Sequence, residues 1–511
     1  MAATSGKCIF NRPFDEITDG EISIADKPIE KFRFLDCRSF AERKSLRIFQ
    51  FDQLPTEKYG AISYIWSGLK PKTVRPQIKV ADTEGKGVVD VEILRIACAA
   101  LLPHCDFLWV DVLCIIQGES LGDSKLPNLD RPWQMQHMYD IYSSCVKCLI
   151  VPGGLQQLTE ITEDTPWVHR AWTLQEAIAP KSAEFLFSWE HGDCVLQTNW
   201  ETAVTEVEKG VAAATAEMES LLATALKSSY LVLKDAADQD SPGGSWEGKK
   251  IKMLGQYSQI QALVGALDMR GKEGMQNAIW RSAFMRTAHD PVDNVYSIMG
   301  VLGVTLDPKQ FKTTDRIKAT LALMRELLRK GERAEWLGVA TRTNSNFELS
   351  TIPAFPVRSK TTGKFEISTP EGKKEVATVM DGWWMIADTP RGTLDEEGYL
   401  ELEVLAASIS KSESESPESG FEAVNGSKWD ILSTHQGPTY AVFVGTKTFY
   451  LNGSAPTMVD PNDQVLMLIE EISSGKYRSL GYAFASEELR KGDAWSRATF
   501  KVGGHGDAVE E

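Results

Sequence analysis

Two carboxylates, Asp111 and Glu176, stand where chemistry competes with packing as the reason for their presence. Asp111 interrupts the apolar run Phe107-Leu-Trp-Val-Asp-Val-Leu113, near what reads as the carboxyl end of a strand. In open parallel sheets ligands bind at that edge, so Asp111 is either a site residue or a buried anchor paired with Arg170. Glu176 follows Trp172 by four residues, and on a helix the two share a face. An indole beside a carboxylate can stack a ligand ring while desolvation raises the carboxyl pKa. Such a group suits an oxocarbenium-like ribosyl centre, the chemistry of glycoside cleavage. The plainer alternative is a helix-surface Glu paired with a nearby cation. Ser63 and Trp66 end an earlier strand-like block, Ser67-Gly68 makes the loop after it, and Gln117 lies in the loop after Asp111.

Other constellations carry less. Cys114 as a nucleophile needs a histidine, which His137 or His169 could supply, but no spacing pairs them. Cys145 and Cys148 have CxxC spacing, yet no second pair occurs and Cys148 sits in an apolar run. Both read as ordinary thiols, in neither a disulfide nor a zinc site. The seven histidines are dispersed, with no HxxxH or HExxH pair. A GxGxxG or Walker pattern is missing too, although Gly68 would permit close approach of backbone to a phosphate. Asp290 and Asp293 flank Pro291 and Val292 as a turn and helix cap would. The runs at Asn425 and Asn452, each Asn-Gly-Ser, read as turns.

The elements that must position these groups alternate over the first 200 residues. Residues 59–66, 107–113, 146–151 and 184–189 are short, apolar and aromatic, as buried strands are. Between them lie helical patterns: an apolar stripe from Val91 to Leu102, a second from Met135 to Cys145 with Asp130 as cap and Pro132 in its first turn, and a third over 170–178. This alternation predicts a parallel α/β sheet. Residues 201–345 read as helical, including an Ala- and Leu-rich stretch from Ala212 to Leu233. From 346 to 511 strand patterns return, at 381–387, 399–405, 440–444 and 464–469, as an antiparallel β module broken by a flexible Ser- and Glu-rich loop over 408–420. A chain of 511 residues with 42% hydrophobic and 25% charged residues is of folded composition. Its net charge of −16 repels phosphate backbones, which argues against nucleic acid as a partner. The apolar runs are too short for a membrane helix, the amino terminus lacks a signal-peptide core, and a cytoplasmic protein is expected.

Four blocks then combine. Tyr59-Gly-Ala-Ile-Ser-Tyr-Ile-Trp66, Leu108-Trp-Val-Asp-Val-Leu-Cys-Ile-Ile-Gln117, Gln136-His-Met-Tyr-Asp-Ile-Tyr142 and Arg170-Ala-Trp-Thr-Leu-Gln-Glu176 resemble, in order and spacing, the fungal heterokaryon-incompatibility (HET) domain. The stretch Arg286 to Gly300 resembles a segment found downstream of such domains. Ser67 separates Trp66 from Gly68 where the family has Gly directly, and Ile116 replaces its usual Asn. The resemblance implies a TIR-like, flavodoxin-like doubly wound parallel sheet, and a role in non-self recognition and regulated cell death. Many TIR-like domains cleave NAD with a helix-borne glutamate, which implies Glu176 as the catalytic residue, free on its helix to face a ligand; Asp111, at the end of a buried strand and within reach of Arg170, is the second catalytic candidate. Ser63, Trp66, Gln117, Arg170 and Trp172 would be the ligand-binding set, with NAD as a candidate substrate and no resident cofactor.

Three functions remain open from the residues. One is a nucleotide-processing hydrolase of NAD glycohydrolase type. Another is a non-catalytic module that self-associates or binds a protein partner through the same domain. The third is the same fold recruited as a metabolic enzyme for a small molecule.

Overall fold

The computed structural model describes residues 6–66, 68–81, 83, 87–117, 130–197, 201–227, 231–235, 245–246, 250–380, 384–414, 420–433, 437–449 and 462–504. The chain divides into two compact units, residues 1–260 with 307–310, and residues 261–306 with 311–511. Among the described residues no helix is long and apolar enough to cross a membrane.

The first unit is built on a sheet of twelve strands. In chain order they are β1 (Lys7–Pro13), β2 (Phe32–Asp36), β3 (Ser45–Phe51), β4 (Tyr59–Tyr64), β5 (Phe107–Trp109), β6 (Lys147–Val151), β7 (Ala183–Ser188), β8 (Cys194–Gln197), β9 (Glu201–Glu206), β10 (Ala213–Glu217), β11 (Leu231–Asp235) and β12 (Ser245–Trp246). Their order across the sheet is β1-β3-β2-β5-β4-β6-β7-β10-β9-β8-β11-β12. The four strands expected to be parallel neighbours are so: β4 pairs in parallel with β5 and β6, and β6 with β7. Every residue of β4 is buried, as a central parallel strand requires. Antiparallel strands extend the sheet on both sides.

Two helices follow the sequence closely. Helix α1 (Val91–Leu101) starts where the Asp90 carboxylate accepts the Glu92 and Ile93 N–H groups, and Pro103 lies just beyond its end. Helix α3 (Asp130–Ser144) buries Met135, Met138, Ile141 and Tyr142, one stripe at helical spacing. Two stretches depart from expectation. The strand predicted over 107–113 ends at Trp109, and Asp111–Cys114 forms a helical turn, α2. A short buried apolar run has no period long enough to tell a strand from a helical turn. The helical region predicted from 201 begins instead with β9 and β10, and the Ala-rich stretch is strand over Ala213–Glu217 before its helix, Met218–Lys227. Here β7 supplies a hydrogen-bonding edge, and pairing along it overrides alanine's helix propensity.

In the second unit the expected helices are present at Met275–Ala283, Asp293–Met299 and Arg316–Arg329. A nine-stranded sheet follows, antiparallel apart from the pairing of Lys476–Ala485 with Ser496–Val502. The loop expected over 408–420 starts later than predicted, because strand Leu400–Lys411 runs through Ser408 and buries it. Residues 415–419, and Asp381 to Trp383 of the strand predicted over 381–387, lie outside the described residues.

Asp130 does more than begin α3. Its carboxylate takes the Arg33 guanidinium at 2.9 Å, with both side chains fully buried. It also accepts the backbone N–H groups of Glu30 at 2.8 Å and Ile116 at 3.0 Å. Removing one member strands a buried charge, so Asp130→Ala should lower the unfolding free energy by about 3–5 kcal/mol. Urea denaturation would show it; the exposed pair Arg38–Glu42, broken by Glu42→Ala, should barely move the midpoint.

Candidate functional site

Strand β4 ends in Ser63 and Tyr64, whose side chains leave opposite faces of the sheet because a strand alternates with period two. Each starts a separate polar network. On one face the Ser63 hydroxyl donates to Glu176 Oε2 at 2.6 Å and accepts the Trp167 indole N–H at 2.9 Å. Glu176 belongs to helix α4 (Trp172–Ile178), every residue of which is buried. Ser63 and Trp167 are fully buried, and Glu176 is 3% exposed.

On the other face three donors aim at Asp111. The Tyr64 hydroxyl reaches Oδ1 at 2.5 Å and the Trp66 indole N–H reaches Oδ2 at 2.6 Å. Oδ1 also accepts the Val112 N–H, at the start of α2. Asp111, Trp66 and Arg170 are half-buried, so this network meets solvent where the first does not. Gln117 binds its own loop, donating to the carbonyls of Asp111 at 3.3 Å and Ile115 at 3.2 Å.

Arg170 connects the two networks. It follows the 3₁₀ turn Trp167–His169, and its guanidinium donates to the Tyr64 carbonyl at the end of β4. The Thr173 hydroxyl caps this turn, its one proton shared between the carbonyls of Trp167 and Arg170, both 2.8 Å from Oγ1. Burial acts to lower the Arg170 pKa, but the carboxylates of Glu176 and then Asp111 raise it, with a net upward shift. Burial, and next the Asp111 charge, hold the Tyr64 phenol well above its ordinary value, so it stays a donor. Burial pushes the Cys114 thiol up to about 12, an unsuitable state for a nucleophile. His137 Nδ1 meets the Trp133 carbonyl and His169 Nδ1 meets Gln259 Nε2, both at 2.8 Å. Cys148 is fully buried within β6, and Cys145 donates to the Tyr142 carbonyl at 3.1 Å; both are free thiols.

Of the residues singled out in the sequence, Ser63 and Glu176 thus share one buried chain, and Asp111 and Trp66 share a second. Trp172 is 7% exposed and packs with its helix, which leaves little of its ring for a ligand. The relative exposure of the carboxylates is the reverse of expectation: Glu176 is sealed, and Asp111 faces outward. Glu176 is not a surface group of its helix, because α4 is buried on all sides. In this structure the close approach that Gly68 permits is to other backbone. A Cβ there would lie 2.8 Å from the Gly153 carbonyl, and one on Gly154 would lie 2.7 Å from Gly68 Cα, so the loops after β4 and β6 meet backbone to backbone. Sequence reasoning passed over Tyr64 and Trp167. Tyr64 had a usable signal, since period two puts positions 64 and 66 on one face, whereas nothing local marks Trp167.

Residues 59–157 match the family model described as Heterokaryon incompatibility protein (HET). The match spans β4 through the loop after β6 and includes Ser63, Tyr64, Trp66 and Asp111; Trp167, Arg170 and Glu176 follow it in the chain. No curated protein and no solved structure matches the chain.

Two outcomes follow from this geometry. Ser63→Ala leaves the Trp167 N–H and Glu176 Oε2 buried without their shared partner, and should cost about 2–4 kcal/mol in chemical denaturation. Iodoacetamide on the native protein at pH 8 should modify Cys8, the exposed cysteine, and spare the seven buried ones. With a pKa near 12 the Cys114 thiolate fraction at that pH is on the order of one in ten thousand. Peptide mapping that found Cys114 alkylated at the same rate as Cys8 would contradict the burial.

Proposed function

We propose that this HET-domain chain acts in non-self recognition and regulated cell death, and that it does so by cleaving NAD at the carboxyl edge of the parallel strands. The observation that carries the reading is the half-buried Asp111 carboxylate, aimed by Tyr64, Trp66 and Val112 beside Arg170. Four parallel strands in the order β5-β4-β6-β7 match the first four of a flavodoxin-like sheet, which supports a TIR-like reading of this part of the unit. Two carboxylates face one guanidinium, so the cluster carries a formal excess of one negative charge. That excess suits the cationic nicotinamide riboside end of oxidised NAD and opposes the pyrophosphate. As the bond from ribose to nicotinamide breaks, positive charge moves onto the ribosyl carbon, where a fixed carboxylate stabilises it. Nicotinamide departs neutral with the bonding electron pair, and water adds to the ribosyl carbon and releases one proton, by way of Asp111, to solvent.

The roles divide by exposure. Asp111 is the reactive carboxylate, with the second lone pair of Oδ2 left for the ribosyl centre or its attacking water. Trp66, half-buried, offers the ring surface that stacks nicotinamide. Arg170, Glu176 and Ser63 position the end of β4. This assignment moves the catalytic role from Glu176 to Asp111, because a sealed carboxylate already bonded to Ser63 offers a substrate little access.

Purified protein incubated with NAD, NADP and NADH, with products followed by mass spectrometry, tests the reading. Nicotinamide should be released from the oxidised dinucleotides and not from NADH, whose ring is neutral. Asp111→Asn should reduce the rate by about 100-fold or more while the fold survives. Turnover unaffected by Asp111→Asn would remove the assignment. No turnover, combined with concentration-dependent self-association and intact death signalling in cells, would favour the non-catalytic module.

A further inference from the structure

The second unit holds a cavity of about 550 Å³, within the size range of small-molecule sites. Its lining is polar and carries unspent hydrogen-bonding capacity. Tyr482 accepts the Gly338 N–H at 3.0 Å, but its own hydroxyl proton has no acceptor among the described residues. Asn344 is held by its Nδ2, which donates to Ser368 Oγ at 2.9 Å, and its Oδ1 receives no donor there. The Thr341 hydroxyl makes no bond among the described residues, although Thr341 is only 9% exposed. Trp336, 1% exposed, also borders the cavity, and its buried indole N–H has no partner among the described residues.

The charges are specific too. Arg342 lines the cavity, is exposed, and is paired with no carboxylate among the described residues. Lys374 and Glu371 also line it and pair with each other. The net lining charge is therefore positive by one, in a chain whose net charge is −16. An unpaired guanidinium presents forked donors that fit a phosphate, and the neutral donors and acceptors around it fit ring hydroxyls or a heterocycle.

We infer that this cavity binds a small phosphate monoester carried on a hydroxylated ring, with Arg342 holding the phosphate and Tyr482, Asn344 and Thr341 the ring. Sugar phosphates and nucleoside monophosphates share that chemistry. The inference is independent of the site at Asp111, since every lining residue belongs to the second unit.

Isothermal titration of the full-length chain with glucose 6-phosphate and AMP, against glucose, adenosine and inorganic phosphate, separates the alternatives. At least one of the two esters should bind; which of them does so distinguishes a sugar from a nucleoside ligand. Its uncharged parent and inorganic phosphate should bind about tenfold more weakly or worse. Arg342→Gln should weaken the ester about tenfold or more without lowering the melting temperature, because the side chain is exposed and unpaired. Tyr482→Phe should weaken it by several-fold, and Asp111→Asn should leave it unchanged. Failure of both esters to bind, affinity unchanged in Arg342→Gln, or equal binding of inorganic phosphate alone would each overturn the inference.

Discussion

The Asp130 carboxylate is the constraint on which the first unit depends. It joins the start of α3 to Arg33 on β2, to the Glu30 backbone and to the Ile116 backbone just past α2. Arg33 in turn donates to the Cys114 carbonyl at 3.0 Å, so α2 is gripped at its last residue and just beyond it. That grip fixes the turn whose first residue is Asp111. A buried ion pair is a poor source of net stability, because desolvation offsets much of its attraction. Its value here is positional: without the Asp130 carboxylate, the turn that begins at Asp111 would lose the group that holds the Ile116 backbone and orients Arg33 toward the Cys114 carbonyl. What position 116 gives Asp130 is its backbone N–H, and the side chain is buried and apolar.

Much of this architecture was readable because the central strands carry uninterrupted apolar runs, and those occur only where both faces of a strand are covered. The parallel pairing of β4 with β5 and β6 followed from the helical stripes between them. What escaped was set by partners distant in the chain. Ala213–Glu217 is a strand because β7 offers it an edge, and an Ala-rich sequence carries no record of that edge. Asp111 leaves its strand for a helical turn because Tyr64, Trp66 and the Arg33–Asp130 pair hold it there, from residues as far as 97 positions apart. The site was legible in its members and not in their exposure, for burial of Glu176 depends on how α4 packs against β4.

Alternation along one strand separates the two carboxylates. Ser63 sends its hydroxyl into the closed side and Tyr64 sends its phenol to the open side, one residue apart. Arg170 then reaches the carbonyl at the tip of that strand, with its charge sustained by both acids. Arg170 thus ties the two carboxylates together electrostatically, through the guanidinium that both stabilise and the strand end that it holds. For this reason loss of activity on mutating Glu176 would not by itself make it the reactive group. Loss of packing and loss of charge balance would act in the same direction.

The glycines complete the argument about where a ligand can enter. In a sheet of this strand order the switch point lies between β4 and β6, and a crevice is expected beyond their carboxyl ends. Gly68 and Gly154 bring the two loops so close that a single added Cβ would strike backbone, and the Leu69 N–H donates to the Gly153 carbonyl at 2.7 Å. Both glycines have positive φ, +29° and +86°, which other residues adopt only with strain. This backbone contact fills part of the usual crevice. On the β4–β5 side, by contrast, Trp66 and Asp111 are only half-buried, so that side of the edge keeps the contact with solvent that the glycine loops take from the other.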